Sequence, residues 1–338
     1  MTSEPGHTQC FVYITLPGHT APVTAARFTL TRDRAGNTHG QFRYGQSYLA
    51  RPDCVALDPL ELKLSERTYH TTRLRGVFGA LRNASPDAWG RRVIERHAGH
   101  STLGEIDYLL HGPDDRAGAL GFGLGSQPPA PSRKYNDTLD LARLQQLADT
   151  ISNDEPLPVA DRAAQIEDLM LIGTSMGGAR PKAVVENAEG LWIAKFNRPD
   201  DRWNHARVEH AVLTLARECG IDAGRSKITS VGGRDVLLVQ RFDRRRTDAG
   251  YLRARMISAL TLLRSDDSPQ DRGKWSYPLS QSARFLMPAA DARSTLQTMA
   301  GKIATWYEHA RAAGVSDADC EHIAGAFLYP GLHYPARG

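Results

Sequence analysis

The stretch Gly173-Thr-Ser-Met-Gly-Gly-Ala-Arg-Pro-Lys182, followed shortly by Leu191-Trp-Ile-Ala-Lys-Phe196, holds the densest chemistry in the chain. Its three glycines and two hydroxyls lie between an apolar helical pattern (Ile166, Leu169, Met170) and the β-branched run Ala183-Val-Val. Glycines such as Gly177 and Gly178 let the backbone adopt φ > 0 and turn successive N–H groups toward an anion such as phosphate. No Gly-Lys-Ser/Thr follows at Walker spacing, so the segment is not a P-loop. Lys195 falls in a short apolar strand, where an ammonium needs a negative partner. The plainer alternatives are an ordinary glycine-rich turn and a lysine that snorkels to the surface.

Outward from this stretch the pattern is regular. Residues 182–187 and 190–196 read as strands around an Asn187-Ala-Glu-Gly190 hairpin turn. Over 203–219, Val208, Val212, Leu215 and Cys219 fall on one helical stripe closed by Gly220, with Glu209 beside it and able to point partly inward. Residues 226–231 and 235–241 form a second hairpin around Gly232-Gly233. Hairpin, helix, hairpin is the element order of a protein-kinase nucleotide lobe, in which a glutamate on a helix holds a strand lysine against the ATP phosphates. Without that pattern Glu209 reads as a solvated helix acid.

Upstream, 11–16, 24–30 and 41–45 read as strands. Ser85-Pro86-Asp87 opens a helix with serine as its cap, carrying Trp89, Val93, Ile94 and His97 at helical spacing up to Gly99. A short helix over about 102–111 follows, then the loop Asp114-Asp-Arg-Ala-Gly-Ala-Leu-Gly-Phe122, then the Pro-rich linker 126–137 and a helical pattern over 139–151. Downstream, Leu296, Met299, Ile303, Trp306 and Ala310 predict one amphipathic helix stopped by Gly314, with Ser316 capping the next.

The 338 residues suffice for two or three subdomains. A net charge of +4 is too small to argue for nucleic-acid binding. Arg241, Arg244, Arg245, Arg246, Arg253 and Arg255 form a basic run diluted by Asp243 and Asp248, which reads as a solvated surface, with a phosphate-binding face as the alternative. Cys10, Cys54, Cys219 and Cys320 make no CxxC pair, so reduced thiols and no structural zinc are expected. His205 and His210, five residues apart, do not share a helix face and are not a metal pair. The first residues lack the layout of a signal peptide and no apolar run approaches a membrane span, so the expectation is a cytoplasmic protein with no membrane partner.

The segments quoted above, together with Leu237-Leu-Val-Gln-Arg-Phe-Asp-Arg244 and Ile257-Ser-Ala-Leu-Thr-Leu-Leu263, resemble HipA-family proteins. These are serine/threonine kinases acting as toxins of type II toxin–antitoxin modules. Ser85-Pro-Asp-Ala-Trp-Gly-Arg-Arg92, Asp107-Tyr-Leu-Leu110 and Asp114-Asp-Arg-Ala-Gly-Ala-Leu120 are similar to the family's N-terminal subdomain. The resemblance runs from about residue 10 to 265 and resumes from Leu279 to Phe327. It implies an α+β, HipA-like and protein-kinase-like fold: a β-rich N-terminal subdomain (1–125), a linker (126–138), a nucleotide lobe (139–263) and a shortened helical C-terminal lobe (264–338). It implies ATP and magnesium as cofactors, a protein serine or threonine as substrate, and a helix-turn-helix antitoxin as partner, with DNA reached only through that antitoxin. Carried over by position, Lys195 would contact the α- and β-phosphates with Glu209 as its partner. Lys182, Gly177 and Gly178 would lie near the nucleotide. Gln240 and Phe242 would belong to the hinge against the adenine, and Ser175 would be the autophosphorylated serine of the loop. A local hydrogen-bonding hydroxyl is the alternative for Ser175.

One part of the family pattern is missing. A kinase supplies an Asp to accept the substrate proton, plus an Asn and a second Asp for metal. No asparagine occurs after Asn204. The aspartates beyond the hinge (Asp248, Asp266, Asp267, Asp271, Asp291, Asp317, Asp319) have neither a downstream Asn nor the apolar flanks of a catalytic loop. The catalytic segment reads as deleted, so no catalytic residue is assigned and phosphoryl transfer is expected to be lost or severely impaired. The alternatives are a pseudokinase that binds nucleotide or antitoxin, a non-functional remnant, and a metal site rebuilt from Asp266, Asp267 and Asp271.

Overall fold

A computed structural model describes residues 6–98, 103–112, 114–130, 136–137, 141–155, 178–264 and 279–327. Ser175, Gly177, the helix expected before them, and Asp266, Asp267 and Asp271 lie outside the described residues. The chain divides into two compact units, residues 1–191 with 241–266, and residues 192–240 with 267–338.

The first unit is built on a five-stranded antiparallel sheet of order β4-β3-β2-β1-β5, where β1 is Gln9–Thr15, β2 Pro22–Arg32, β3 Thr38–Tyr44, β4 Tyr69–Thr71 and β5 Leu120–Gly123. Side chains alternate across such a strand, so one face collects Val12, Ile14, Phe28, Phe42 and Tyr44 into a core with Tyr48, Leu62, Phe78, Leu81 and Ile106. Each large apolar side chain so buried contributes about 2 kcal/mol. The helix Ala88–Ala98 buries Trp89, Val93 and Ile94 as their spacing predicts. Its cap is a correction: the Asp87 carboxylate, not Ser85, accepts from Gly90 N (2.7 Å), and Ser85 Oγ is buried without a hydrogen-bond partner among the described residues. A carboxylate at the positive helix end is the stronger acceptor. In the helix Leu141–Ser152, Leu141, Leu144, Ala148 and Ile151 are buried on one face.

In the second unit, the strands Gly190–Phe196 and Ser226–Val231 both pair antiparallel with Arg234–Gln240. The central strand buries Val236, Leu237 and Leu238 in succession. Gly232 and Gly233, at φ +56 and +78, occupy the two left-handed positions that a two-residue type I′ turn requires. The helix His205–Glu218 is capped by Asn204, whose side chain accepts from Arg207 N (3.1 Å) while its amide donates to Asp235 Oδ2 (2.7 Å). Asn204→Ala is therefore expected to lower stability by about 1–2 kcal/mol, read as the midpoint of urea unfolding. A midpoint within error of wild type would discount the cap.

Two features of these helices differ from what the sequence predicts. Val212 is 41% exposed, and Ala211 takes its place in the core with Leu215, Trp306, Ala310, Val315 and Cys320. The expected single helix over 296–310 is broken into Ala289–Ile303 and Trp306–Ala312. At the break the Thr305 hydroxyl donates to Lys302 O (2.8 Å), competing with the helical ladder for that carbonyl. Gly314, at φ +78, ends the second helix, and Ser316 Oγ accepts from Asp319 N (3.1 Å) at the start of Asp317–Phe327, both as expected. No helix among the described residues is long and apolar enough to cross a membrane.

Candidate functional site

Lys195 and Glu209 meet within the second unit. Along Gly190–Phe196, Trp192, Ala194 and Phe196 are buried, while alternation puts Lys195 on the half-covered face with Ile193. One turn into the His205–Glu218 helix, Glu209 Oε1 accepts a short hydrogen bond from Lys195 Nζ. Their side chains are 26% and 36% exposed. An ion pair this open to water contributes about 0–1 kcal/mol, so its consequence is orientation. It holds an ammonium at a fixed position where a phosphate oxygen could also reach it. At the end of the central strand, Gln240 Oε1 accepts from Arg225 Nε (2.8 Å), and its backbone N donates to Arg225 O (2.7 Å).

Within the first unit, Lys182 is buried and its Nζ lies 2.6 Å from Asp87 Oδ2 and 3.3 Å from Gly178 O. Trp89 Nε1 donates to Lys182 O (3.2 Å). The C-terminal end of the glycine stretch is thereby fastened to the start of the Ala88–Ala98 helix. Sequence reasoning paired Lys182 with nothing, since Asp87 is 95 positions away. Gly178 adopts φ +102, with open space where a side chain would stand. Phe242 is 72% exposed between two buried residues, Arg241 and Asp243.

Those flanking residues overturn the solvated reading for half of the arginine run. The Arg241 and Arg244 side chains are fully buried, and Arg253 is 6% exposed. Arg241 grips Asp243 through Nε–Oδ1 (2.9 Å) and Nη2–Oδ2 (2.7 Å), and bonds Asp115 through Nη1. Arg244 Nη1 reaches Asp243 Oδ2 (2.8 Å), as does Gly118 N (2.8 Å). Arg253 pairs with Asp114 (2.8 Å). Arg116, also buried, spends its guanidinium on the carbonyls of Ala84, Leu109 and Gly112, and its own carbonyl accepts from Arg241 and Arg244. The Asp114-Asp115-Arg116 loop is thus the counterpart of residues 241–253. Burial pushes the Asp243 carboxyl up, but the Arg241 and Arg244 guanidiniums more than reverse this and bring it down to about 2. Among the described residues no group of three or more His, Cys, Asp or Glu side chains could hold a metal ion, and all four cysteines are free.

Two family models match the chain: a HipA N-terminal domain over residues 27–123 and a HipA-like C-terminal domain over residues 174–320. Among solved structures, HipA of Shewanella oneidensis MR-1, from a complex of that toxin–antitoxin system's HipA and HipB with its operator DNA, is similar in fold. The TM-score is 0.55 at 18% identity, over 86% of this chain and 69% of that one. No curated protein matches.

Proposed function

For a chain that belongs to the HipA family, we propose nucleotide binding through Lys195 and Glu209 with little or no phosphoryl transfer. The observation that supports this most is the ion pair itself: the lysine is on a strand and the glutamate on a helix, as in kinases that hold ATP phosphates. A partly exposed ammonium fits a phosphate. Lys195 supplies the charge, and Glu209 restricts where that charge can go. Magnesium, when bound in kinases, neutralises charge developing on the phosphates. The described residues offer no group of three or more His, Cys, Asp or Glu side chains to hold it.

Kinase catalysis is almost entirely positioning and charge stabilisation, and the Asp and Asn residues that supply much of both have no counterpart after Asn204. We read the missing segment as a deletion relative to active family members. As partner we propose a helix-turn-helix antitoxin, because the similar solved HipA is in complex with HipB and operator DNA.

The test is a thermal melt with and without ATP, on wild type and Lys195→Ala, followed by intact mass after incubation with Mg-ATP and a generic protein acceptor. ATP at about 100 times its Kd should stabilise wild type by about 2.7 kcal/mol, a rise of several degrees, and leave Lys195→Ala unmoved. No phosphate should appear on either protein. Phosphate on wild type alone would refute impairment. An equal ATP-induced rise in both would refute Lys195 as the contact.

A further inference from the structure

We propose that the outer face of the N-terminal sheet carries a binding site for a small phosphate ester, centred on Arg27 and Arg43. The register across the sheet sets Phe11 opposite Arg27, and Arg27 opposite Arg43, so all three share one face. It is the face away from the core, since their neighbours Val12, Ala26, Phe28, Phe42 and Tyr44 are buried. Both arginines are exposed, and neither has a carboxylate partner among the described residues. Like charges on directly opposed strand positions are destabilising. Asp53 is engaged by Arg51 in a two-pronged pair (2.9 Å on each prong).

The three residues border a cavity of about 600 Å³ that Ser47 and Arg51 also line. Its far wall is the segment following β5, fixed by Thr24 Oγ1 to Ser126 O (2.6 Å) and Tyr13 OH to Gly125 O (2.5 Å). That volume lies within the range of small-molecule sites, which combine apolar surface with a few convergent polar groups. Two adjacent guanidinium forks match phosphate oxygens with paired, charge-assisted hydrogen bonds. Phe11 offers an apolar surface for the organic part of the ligand. The site lies in the first unit and owes nothing to Lys195 or Glu209 of the second.

The experiment is calorimetric titration of the full chain with inorganic pyrophosphate, on wild type, on Arg27→Gln with Arg43→Gln, and on Lys195→Ala. Lys195→Ala should keep a pyrophosphate site even where its own phosphate contact is lost, and the double variant should lose that retained site, binding it at least about ten-fold more weakly. Its melting temperature without ligand should equal or exceed that of wild type, because a like-charge contact has been removed. Absence of wild-type binding, unchanged affinity in the double variant, or loss of binding in Lys195→Ala would overturn the proposal. So would a clear drop in the double variant's melting temperature, which would make the arginines part of the fold. A short single-stranded DNA that binds more tightly than pyrophosphate through the same arginines would overturn the small-ligand reading in favour of a nucleic-acid surface.

Discussion

Asp243→Ala is expected to destabilise the first unit by about 3–5 kcal/mol, because the variant removes the carboxylate that both buried guanidiniums hydrogen-bond and leaves them Asp115, which lies 3.7 Å from Arg244. In a thermal melt this is a fall of about 10 °C, or protein too unstable to purify. The effect is large because Arg241 and Arg244 cannot turn to water: their side chains are fully buried, and Arg244 Nε already lacks a partner among the described residues. Gly118 N loses its acceptor in the same substitution. Asp248→Ala, in the exposed turn between Arg244–Thr247 and Gly250–Arg253, should shift stability by less than about 0.5 kcal/mol. A loss under about 1 kcal/mol for Asp243→Ala would show that the network contributes far less than its geometry implies.

The same carboxyl predicts a pH dependence. Its folded value, about 2, is depressed below the ordinary unfolded value near 3.9. Its contribution to stability is therefore fully present above about pH 4 and is lost as the pH falls through about 2. Asp243→Asn should remove that part of the acid slope, which unfolding curves collected between these limits would report. An unchanged slope would assign the acid sensitivity to other carboxylates.

The second large effect concerns Lys182. Lys182→Met removes the cation that neutralises Asp87, which is 9% exposed, and should cost about 3–5 kcal/mol. Adding Asp87→Asn should recover part of that loss, since a neutral amide no longer needs a cation and can still accept from Gly90 N. Unfolding midpoints of the two single variants and the double form the required cycle. If the Lys182→Met loss is small, or the second substitution merely adds to it, the pair does not act as a unit. Lys195→Ala is the useful contrast. Its ion pair is open to water, so stability should change by at most about 1 kcal/mol while the ATP-induced shift disappears. The two lysines of the glycine-lysine region would then have separable consequences, one on folding and one on binding.

Much of the local structure was legible in sequence because short-range physics settles it. Gly232-Gly233 demanded a left-handed two-residue turn, Ser316 was a cap three residues before an N–H that needed one, and Trp89, Val93 and Ile94 could share a face only on a helix. The Lys195–Glu209 pair was also within reach, because a strand lysine and a helix acid 14 residues on form a recognisable pattern. The misses came where neighbours compete. Ser85 lost the cap to Asp87, Val212 gave way to Ala211 in the core, and the 296–310 stripe did not disclose the break at Thr305.

By itself, the sequence determined the α+β class, the HipA-like order of segments, the turns and caps, and the lack of any asparagine after Asn204. Only the tertiary structure decided which charges are buried. Arg241 and Arg244 belong to a run that looks solvated, yet they are enclosed by Asp115, Gly118 and Arg116, more than 120 residues away. Lys182 has its partner 95 residues upstream, and Arg27 and Arg43 oppose one another through strand register. The physical reason is that the cost of a charge depends on its solvent and partners, and both are set by where distant chain segments pass.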